Sequence, residues 1–175
     1  MSLAQLASPH MRAITESEIR TSFINCSKGE AKRLGLPRDL AEQPWAELDF
    51  LGWQDQGAPG RAYLVTERGD RWAGVALRVT SGGGRGFTAR SMCSLCLTTR
   101  TGGSVALMTA RRTGEAGRQG NTVGQYLCGD LACSLYLRGR KVSAGGRLVE
   151  ETLTLEEKVA RLHANLNAFL DKITE

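Results

Sequence analysis

The chain has 175 residues, 41% hydrophobic and 23% charged, with a formal net charge of +5. This length suits one domain with a sizeable core, or a small domain with appended helices, and the ordinary composition does not favour disorder. No apolar run approaches the ~20 residues that a membrane-spanning helix needs, and no secretory signal is visible. We therefore expect a cytoplasmic protein that has no membrane partner.

The chain is expected to form one folded domain after a short N-terminal segment. Residues 1–11 are weakly patterned, and we expect a leader or an upstream extension there. Residues 12–174 then form a single domain. Residues 87–141 are predicted to be its zinc module, since they contain the paired cysteines.

Two capping boxes predict short N-terminal helices. Thr15–Glu18 favours a helix that begins at Glu16, and Ser27–Glu30 favours a second helix that ends near Gly35. Cys26 lies between the two helices. A cysteine in such a position is more often a small buried apolar residue than a reactive thiol, and both readings stay open.

The middle of the chain predicts antiparallel strands. Arg61–Glu67 and Arg71–Thr80 form the clearest hairpin, with a Gly-Asp turn between them. Phe87–Met92 is predicted to be a strand that leads into the first cysteine pair, with Ser104–Ala110 as its return strand. Thr122–Leu127 is a further strand candidate, and the polar residues between these last two strands are expected to form a loop.

The C-terminal segment is predicted to be a long amphipathic helix. Thr154–Glu157 is a third capping box, and apolar residues follow at helical spacing for roughly 19 residues, or about 28 Å. Internal packing of the apolar face is favoured over partner binding. The predicted fold class is α+β, with antiparallel β-hairpins or a sheet, short N-terminal helices, a treble-clef-like zinc module and this helix.

Four of the five cysteines form two close pairs, Cys93 with Cys96 and Cys128 with Cys133, and 31 residues separate the pairs. Such pairs can supply four thiolates to one Zn²⁺ ion at about 2.3 Å. The second pair has the wider spacing, and Asp130 is predicted to cap a helix that carries Cys133 in its first turn. The alternative is four buried cysteines without a metal.

Positive charge is concentrated around these cysteines. Residues 85–147 contain ten Arg or Lys against two acidic residues, a balance of +8, whereas the rest of the chain has a balance of −3. An acidic protein or a phosphate backbone would suit this surface, and the alternative is a solvated surface with no dedicated partner. The residues predicted to bind a partner are Arg111, Arg112, Arg118, Arg138, Arg140 and Lys141.

The sequence does not favour an enzyme. Its only histidines are His10 and His163, and neither belongs to a catalytic motif. A zinc ion with four thiolate ligands has no open position for activating water. We therefore expect one structural zinc ion, no catalytic residues and no small-molecule substrate.

Four segments resemble the actinobacterial FBP-domain proteins: Phe23–Ala31, Ser91–Thr99, Gly117–Gly124 and Cys128–Leu137. These proteins share the C-terminal treble-clef zinc-finger region of the elongation factor G-binding proteins, which include the fusidic acid resistance proteins. The resemblance implies that the four paired cysteines bind zinc. It also implies that the partner is elongation factor G, whose release from the ribosome this chain is expected to modulate.

The resistance proteins also contain an N-terminal helical bundle, of which this sequence predicts only the short helices before residue 50. A zinc protein that binds RNA or the ribosome through the same basic surface is the alternative function. The basic region offers only three aromatic residues for base stacking, Phe87, Tyr126 and Tyr136. Single-strand binders normally present more, so a protein partner is favoured.

Overall fold

Helices and antiparallel strands make up the fold in a computed structural model that describes residues 10–80, 91–100, 103–142 and 151–175. The helices are α1 (Glu16–Ser22), α2 (Lys28–Arg33), α3 (Gly114–Arg118), α4 (Cys133–Leu137) and α5 (Leu155–Thr174). The strands are β1 (Leu51–Gln54), β2 (Arg61–Arg68), β3 (Arg71–Thr80), β4 (Ser91–Met92), β5 (Thr99–Arg100), β6 (Val105–Arg111) and β7 (Thr122–Cys128). Two 3₁₀ turns precede β1, at Leu40–Glu42 and Trp45–Glu47.

The predicted capping boxes begin α1 and α2. The Thr15 hydroxyl accepts a hydrogen bond from the Glu18 amide at 3.2 Å, and the Ser27 hydroxyl accepts one from the Glu30 amide at 3.1 Å. Helices this short are not stable alone, so they depend on packing against the sheet. Ile19 of α1 is fully buried in that contact.

Met11, which comes just before the expected start of the domain at residue 12, is anchored to the fold. Met11 is buried, and its amide donates a hydrogen bond to the Leu48 carbonyl at 2.7 Å. The next residue, Arg12, forms an ion pair with Glu67 and lies 5.0 Å from the centroid of the Trp72 ring. A weak sequence pattern did not reveal this anchoring because its contacts are all distant in the chain.

Five strands form one antiparallel sheet in the order β1-β2-β3-β6-β7. The predicted β2–β3 hairpin is present, and Gly69 in its turn has φ +66°, a conformation that favours glycine. The predicted pairing of Ser104–Ala110 with Phe87–Met92 is wrong. Strand β6 pairs with β3 and β7, whereas β4 returns through β5 as a separate hairpin.

Local turn geometry explains that difference. The six residues between β4 and β5 close a tight turn, so β4 finds its partner without a distant strand. Strand β6 is longer, and its buried residues Val105, Met108 and Ala110 require a covered place inside the sheet. Residues 87–90 of the expected strand lie outside the described residues.

The two faces of the sheet are covered by different elements. One face packs against α1 and α2 through residues such as Trp53 and Tyr63, and the Tyr63 ring meets Phe23 edge-on at 5.7 Å. The other face packs against α5 and the cysteine-bearing segments through residues such as Leu64 and Val75. The sheet therefore supports the four cysteines from below.

Helix α5 confirms the predicted amphipathic helix. Its buried residues are Val159, Leu162, Leu166, Phe169, Leu170 and Ile173. The Asn165 side chain donates a hydrogen bond to the Leu95 carbonyl at 3.0 Å, which ties the helix to the first cysteine pair. Within the described residues, no helix has both the length and the apolar character needed to cross a membrane.

The expected loop between β6 and β7 contains the short helix α3. A Cβ atom at Gly117 would lie 1.7 Å from the Arg112 carbonyl oxygen, so this turn can fold back only because residue 117 is glycine. Gly114 begins the helix with φ +66°. Polar, glycine-rich sequence gave no helical periodicity, which explains why the helix was not predicted.

Candidate metal centre

The four paired cysteines meet in one buried cluster. The Sγ atoms of Cys93 and Cys133 lie 3.7 Å apart, and those of Cys96 and Cys128 lie 3.6 Å apart. All four sulfur atoms lie within 4.8 Å of one another. Tetrahedral zinc with bonds of about 2.3 Å separates its sulfur ligands by about 3.8 Å, so the cysteines are positioned to bind one zinc ion.

The first pair lies on the knuckle between β4 and β5. The Cys93 amide donates a hydrogen bond to the Thr98 carbonyl at 3.1 Å, and the Leu97 amide donates one to the Cys93 carbonyl at 2.9 Å. Leu97 has φ +55°, which reverses the chain directly after Cys96. The turn therefore directs both sulfur atoms to the same side.

The second pair joins the end of β7 to the first residue of α4. Between them, the Leu131 amide donates a hydrogen bond to the Cys128 carbonyl at 2.9 Å, and Leu131 has φ +53°. This tight turn brings Cys133 back to Cys128 across the wider spacing. A Cβ atom at Gly52 would lie 2.4 Å from the Leu131 Cβ, so glycine in β1 lets the turn pack closely on the sheet.

The sequence predicted that Asp130 caps the helix, and this prediction is wrong. Helix α4 begins at Cys133, and the Asp130 carboxylate instead accepts a hydrogen bond from the Ala132 amide at 3.1 Å, which shapes the turn before the helix. It also accepts hydrogen bonds from the Tyr136 hydroxyl and the Lys141 amine, each at 2.7 Å. The carboxylate therefore braces both ends of α4.

The protonation chemistry of the cluster fits a metal site. Hydrogen bonds with Cys128 and Cys133 lower the pKa of Cys96, whereas hydrogen bonds with Cys128, Cys93 and Cys96 raise the pKa of Cys133. The sulfur atoms are close enough to share protons. A divalent cation that takes all four as thiolates releases the remaining protons, which is the usual coupling between zinc binding and pKa.

Arg100 supplies a buried positive charge beside the cluster. It is 2% exposed, and its Nε and Nη2 atoms have no hydrogen-bond partner among the described residues. Burial opposes its charge, but the neighbouring Cys128 helps to raise the pKa of the guanidinium. Zinc with four thiolates leaves two negative charges uncompensated, so unsatisfied N–H donors of a cation are suited to that centre.

Tyr136 of α4 holds Arg100 in place. The Arg100 guanidinium carbon lies 3.2 Å from the centroid of the Tyr136 ring, in the stacked position that favours a cation–π interaction. Sequence reasoning missed both roles. The signal was weak, because an arginine four residues after Cys96 differs from exposed arginines only once the fold buries it.

A second polar cluster centres on the Asp49 carboxylate, whose side chain is completely buried. Arg138 donates hydrogen bonds to its two oxygen atoms at 2.7 and 3.2 Å, and His163 Nε2 lies 3.0 Å from Oδ1. Burial alone would raise the pKa of Asp49, but hydrogen bonds from His163 and Arg138 outweigh it and lower the pKa. Asp49 therefore joins the segment before β1 to α4 and α5.

The residues predicted to bind a partner fall into two separate groups. Arg111, Arg112 and Arg118 lie at the end of the β6–β7 ribbon where Arg111 pairs with Thr122. The other group follows α4, near the end where Cys128 pairs with Val105. Six residues of strand separate those ends, a distance of about 20 Å.

Within the second group, the side chains differ in availability. Arg138 is only 10% exposed, and its guanidinium is bound to Asp49. Arg140 and Lys141 are exposed and form ion pairs at 2.7 Å with Glu47 and Asp130, respectively. Exposed pairs of this kind contribute little energy and can exchange for pairs with a partner.

Two exposed hydrophobic side chains lie near the knuckle. Met92 is 52% exposed and Tyr126 is 40% exposed. The Ser94 amide donates a hydrogen bond to the Tyr126 carbonyl at 2.7 Å, so β4 and β7 are neighbours there. Methionine and tyrosine are enriched in protein interfaces, which makes this a candidate contact surface that the cysteine pattern did not indicate.

The comparisons with known proteins agree with this geometry. A family model described as "FBP C-terminal treble-clef zinc-finger" matches residues 18–173. A solved structure of the fusidic acid resistance protein FusC superposes with a TM-score of 0.59 and 16% sequence identity, over 94% of this chain and 60% of that one. The likeness shows a common fold, and this chain spans less than two thirds of FusC. No curated protein sequence matches the chain.

Proposed function

Because the chain belongs to the family of FBP C-terminal treble-clef zinc fingers, we propose that it is a zinc-stabilised module that binds elongation factor G in the cytoplasm. The buried four-cysteine cluster, inside a domain that the family model covers almost completely, supports this function. By its resemblance to the elongation factor G-binding proteins, we further propose that binding modulates release of the factor from the ribosome.

Binding, rather than catalysis, suits the chemistry of the centre. Four thiolate ligands fill a tetrahedral zinc ion and leave no position for a substrate or an activated water. All four cysteines are buried, and His163 is committed to Asp49. We therefore propose that the metal holds the knuckle and α4 in shape and that the surrounding surface makes the contact.

We propose that the contact uses the basic residues at both ends of the β6–β7 ribbon. A standard interface covers about 800 Å² per partner and can extend along a ribbon of about 20 Å. Arg111, Arg112 and Arg118 would meet acidic groups at one end, and Arg140 and Lys141 at the other. We exclude Arg138 because Asp49 already neutralises it.

The structure offers few stacking residues for an RNA partner. Tyr136 is buried against Arg100, and Phe87 lies outside the described residues. Tyr126 is the remaining aromatic residue of the predicted three, and it is 40% exposed. A protein partner is therefore favoured. Binding of nucleic acid to the same cations is the alternative that an experiment must distinguish from it.

A co-purification experiment tests the partner. The zinc-loaded chain is mixed at low salt with purified elongation factor G that has been treated with nuclease, and the complex is isolated by size-exclusion chromatography. We expect a stoichiometric complex that survives the nuclease. If the factor does not bind while RNA shifts at micromolar protein, the partner is RNA and the proposal is wrong.

Charge reversal tests the contact surface. The pairs Arg112→Glu with Arg118→Glu and Arg140→Glu with Lys141→Glu each remove one end of the proposed contact. A matched pair, Lys32→Glu with Arg71→Glu, changes the net charge equally at exposed sites elsewhere. We expect each test pair to weaken the complex at least about tenfold more than the control. Equal effects of all three pairs would mean that net charge alone attracts the partner and that neither end of the ribbon is a specific contact.

A further inference from the structure

A cavity of about 200 Å³ opens on the face of the sheet that α1 and α2 cover only in part. Its walls include the apolar side chains of Leu34 and Tyr63. Three arginines from neighbouring strands line it as well, Arg61 of β2, Arg78 of β3 and Arg111 of β6. The space would hold several water molecules, at about 30 Å³ each, or a small organic molecule.

The cavity exists because a buried asparagine takes the place of one hydrogen-bonded residue pair between β3 and β6. Strands β3 and β6 pair as far as Leu77 and Ala110, and the next pair does not form. Instead, Asn25 Oδ1 accepts a hydrogen bond from the Ala76 amide at 2.8 Å, and Asn25 Nδ2 donates to the carbonyls of Ala76 and Arg111 at 3.0 and 3.1 Å. The inserted amide separates the strands and fixes the opening.

Positive charge at the cavity is only partly offset by the residues that the structure describes. Arg61 and Arg78 are direct partners across β2 and β3, an arrangement that is unfavourable for like charges. None of the three arginines forms an ion pair with another described residue. The nearby Glu30 accepts a hydrogen bond from the Ser27 amide at 2.8 Å, which lowers the pKa of Glu30; Arg111 and Arg61 lower it further. Among the residues that line the cavity, Glu30 is thus one carboxylate against three guanidinium groups.

The floor of the cavity is neutral and rigid. The Tyr63 hydroxyl donates a hydrogen bond to Asp55 at 3.0 Å, and burial together with Asp55 raises the pKa of Tyr63 to about 12. The Tyr63 ring is further fixed by the Trp53 ring at 5.4 Å. An apolar floor below guanidinium groups is complementary to a molecule with a compact apolar body and an anionic end.

We propose that this cavity binds a small organic anion, a molecule with a carboxylate or phosphate group on a compact apolar body. Arg61, Arg78 and Arg111 would bind the anionic group, and the walls around Tyr63 would receive the body. Guanidinium groups bind either anion through paired hydrogen bonds. The site is separate from the cysteine cluster. It shares Arg111 with the proposed contact surface, but its test needs no elongation factor G.

Three probes test the site on the zinc-loaded chain: phenyl phosphate, benzoate and inorganic phosphate, each against potassium chloride at equal ionic strength. Binding is followed by amide chemical shifts in NMR spectra. Cys26 lines the cavity, so its alkylation, measured by mass spectrometry, gives a second readout. We expect saturable binding of phenyl phosphate or benzoate, and slower alkylation of Cys26 when the probe is bound. Which of the two binds more tightly identifies the anionic group.

Arg78→Gln and, separately, Arg61→Gln should weaken the probe about tenfold or more, since each removes charged hydrogen bonds. Arg71→Gln removes the same charge from the other end of β3 and should leave binding unchanged, and all three variants should keep their zinc and their spectra. No saturable shift beyond that caused by chloride, or equal losses in the Arg78 and Arg71 variants, would overturn the site. Equal affinity for inorganic phosphate and phenyl phosphate would overturn the role of the apolar walls.

Discussion

At the scale of single residues, Asp49 shows how one buried carboxylate can join distant parts of a chain. Its partner Arg138 directly follows α4 and its partner His163 lies in α5, both more than eighty residues away. A buried ion pair adds little net stability when complete, because removing both charges from water is costly. Removing only one member of the pair is costly, because the other charge stays buried without a counter-charge. Arg138 is therefore better explained by this contact than by partner binding.

Asp49→Asn should lower the free energy of unfolding by about 3–5 kcal/mol, because the substitution leaves the Arg138 guanidinium buried without its counter-charge. In the native chain the lowered pKa means that the carboxylate stabilises the fold above pH 3.8, and that this contribution is lost as the pH falls through the folded-state pKa. Urea unfolding at neutral pH, with zinc held constant, measures the change. Asp171→Asn, which breaks the exposed pair with Arg68, is the control and should cost at most about 1 kcal/mol.

Arg100→Met should weaken zinc binding by about 10- to 100-fold, the usual effect of removing a group that supports metal ligands. Methionine keeps most of the side-chain volume over Tyr136 but removes the positive charge beside the thiolates. Competition with a chromophoric chelator gives the affinity without any activity assay. Arg112→Met, at the far end of the β6–β7 ribbon, should leave the affinity unchanged. An equal loss in both variants would mean that Arg100 acts only through the overall charge.

At the scale of elements, the metal centre is built from two short pieces that cannot fold alone. Strands β4 and β5 have two residues each, and α4 has five. Neither piece is long enough to be stable without a tertiary partner. Four cysteines tie them to each other and to β7. Zinc binding is therefore expected to supply most of the folding energy of this region.

Cys133→Ser should abolish stoichiometric zinc binding and expose the amides of Ser91–Arg100 to hydrogen exchange, because the knuckle loses its link to α4. Cys26→Ser is the matched control, since this half-buried cysteine lies outside the cluster. It should retain one zinc ion per chain and the exchange pattern of the native protein. Metal analysis and mass-detected exchange provide the two measurements. Less than about half an equivalent of zinc in the native chain, with an intact fold, would rule out the four-cysteine site.

At the scale of the whole molecule, the fold separates support from contact. The sheet carries α1 and α2 on one face and α5 with the cysteine cluster on the other. The β6–β7 ribbon carries exposed arginines at one end and leads to the metal centre at the other. A basic surface held on rigid strands favours electrostatic attraction to an acidic protein, which acts mainly on the rate of association.

The complex with elongation factor G should therefore form more slowly as salt increases, while its dissociation rate changes little. Ionic screening shortens the range of exposed charges to about 8 Å near physiological salt, which is less than the length of the β6–β7 ribbon. Stopped-flow measurements over a series of potassium chloride concentrations give both rates. Arg112→Glu with Arg118→Glu should flatten the salt dependence. A rate of association that does not respond to salt would exclude the basic surface from the encounter.

Sequence alone was enough to predict the helices with capping boxes, the β2–β3 hairpin, α5 and the metal-binding role of the four cysteines. These features rest on local chemistry: a Thr or Ser three residues before Glu, alternating apolar residues, and thiols at metal-binding spacing. Each can be recognised within a short window of the chain. For that reason the type of metal centre was predictable without the fold.

The pairing of β6, the positions of the basic residues and the burial of polar groups became clear only from the fold. The pairing of β6 with β3, the contact of Asp49 with Arg138 and the burial of Arg100 beside the cysteines all join residues far apart in the chain or depend on what packs above them. Local sequence cannot distinguish a buried arginine from an exposed one, because the difference lies in its neighbours. The division of six predicted cations into two groups has the same cause.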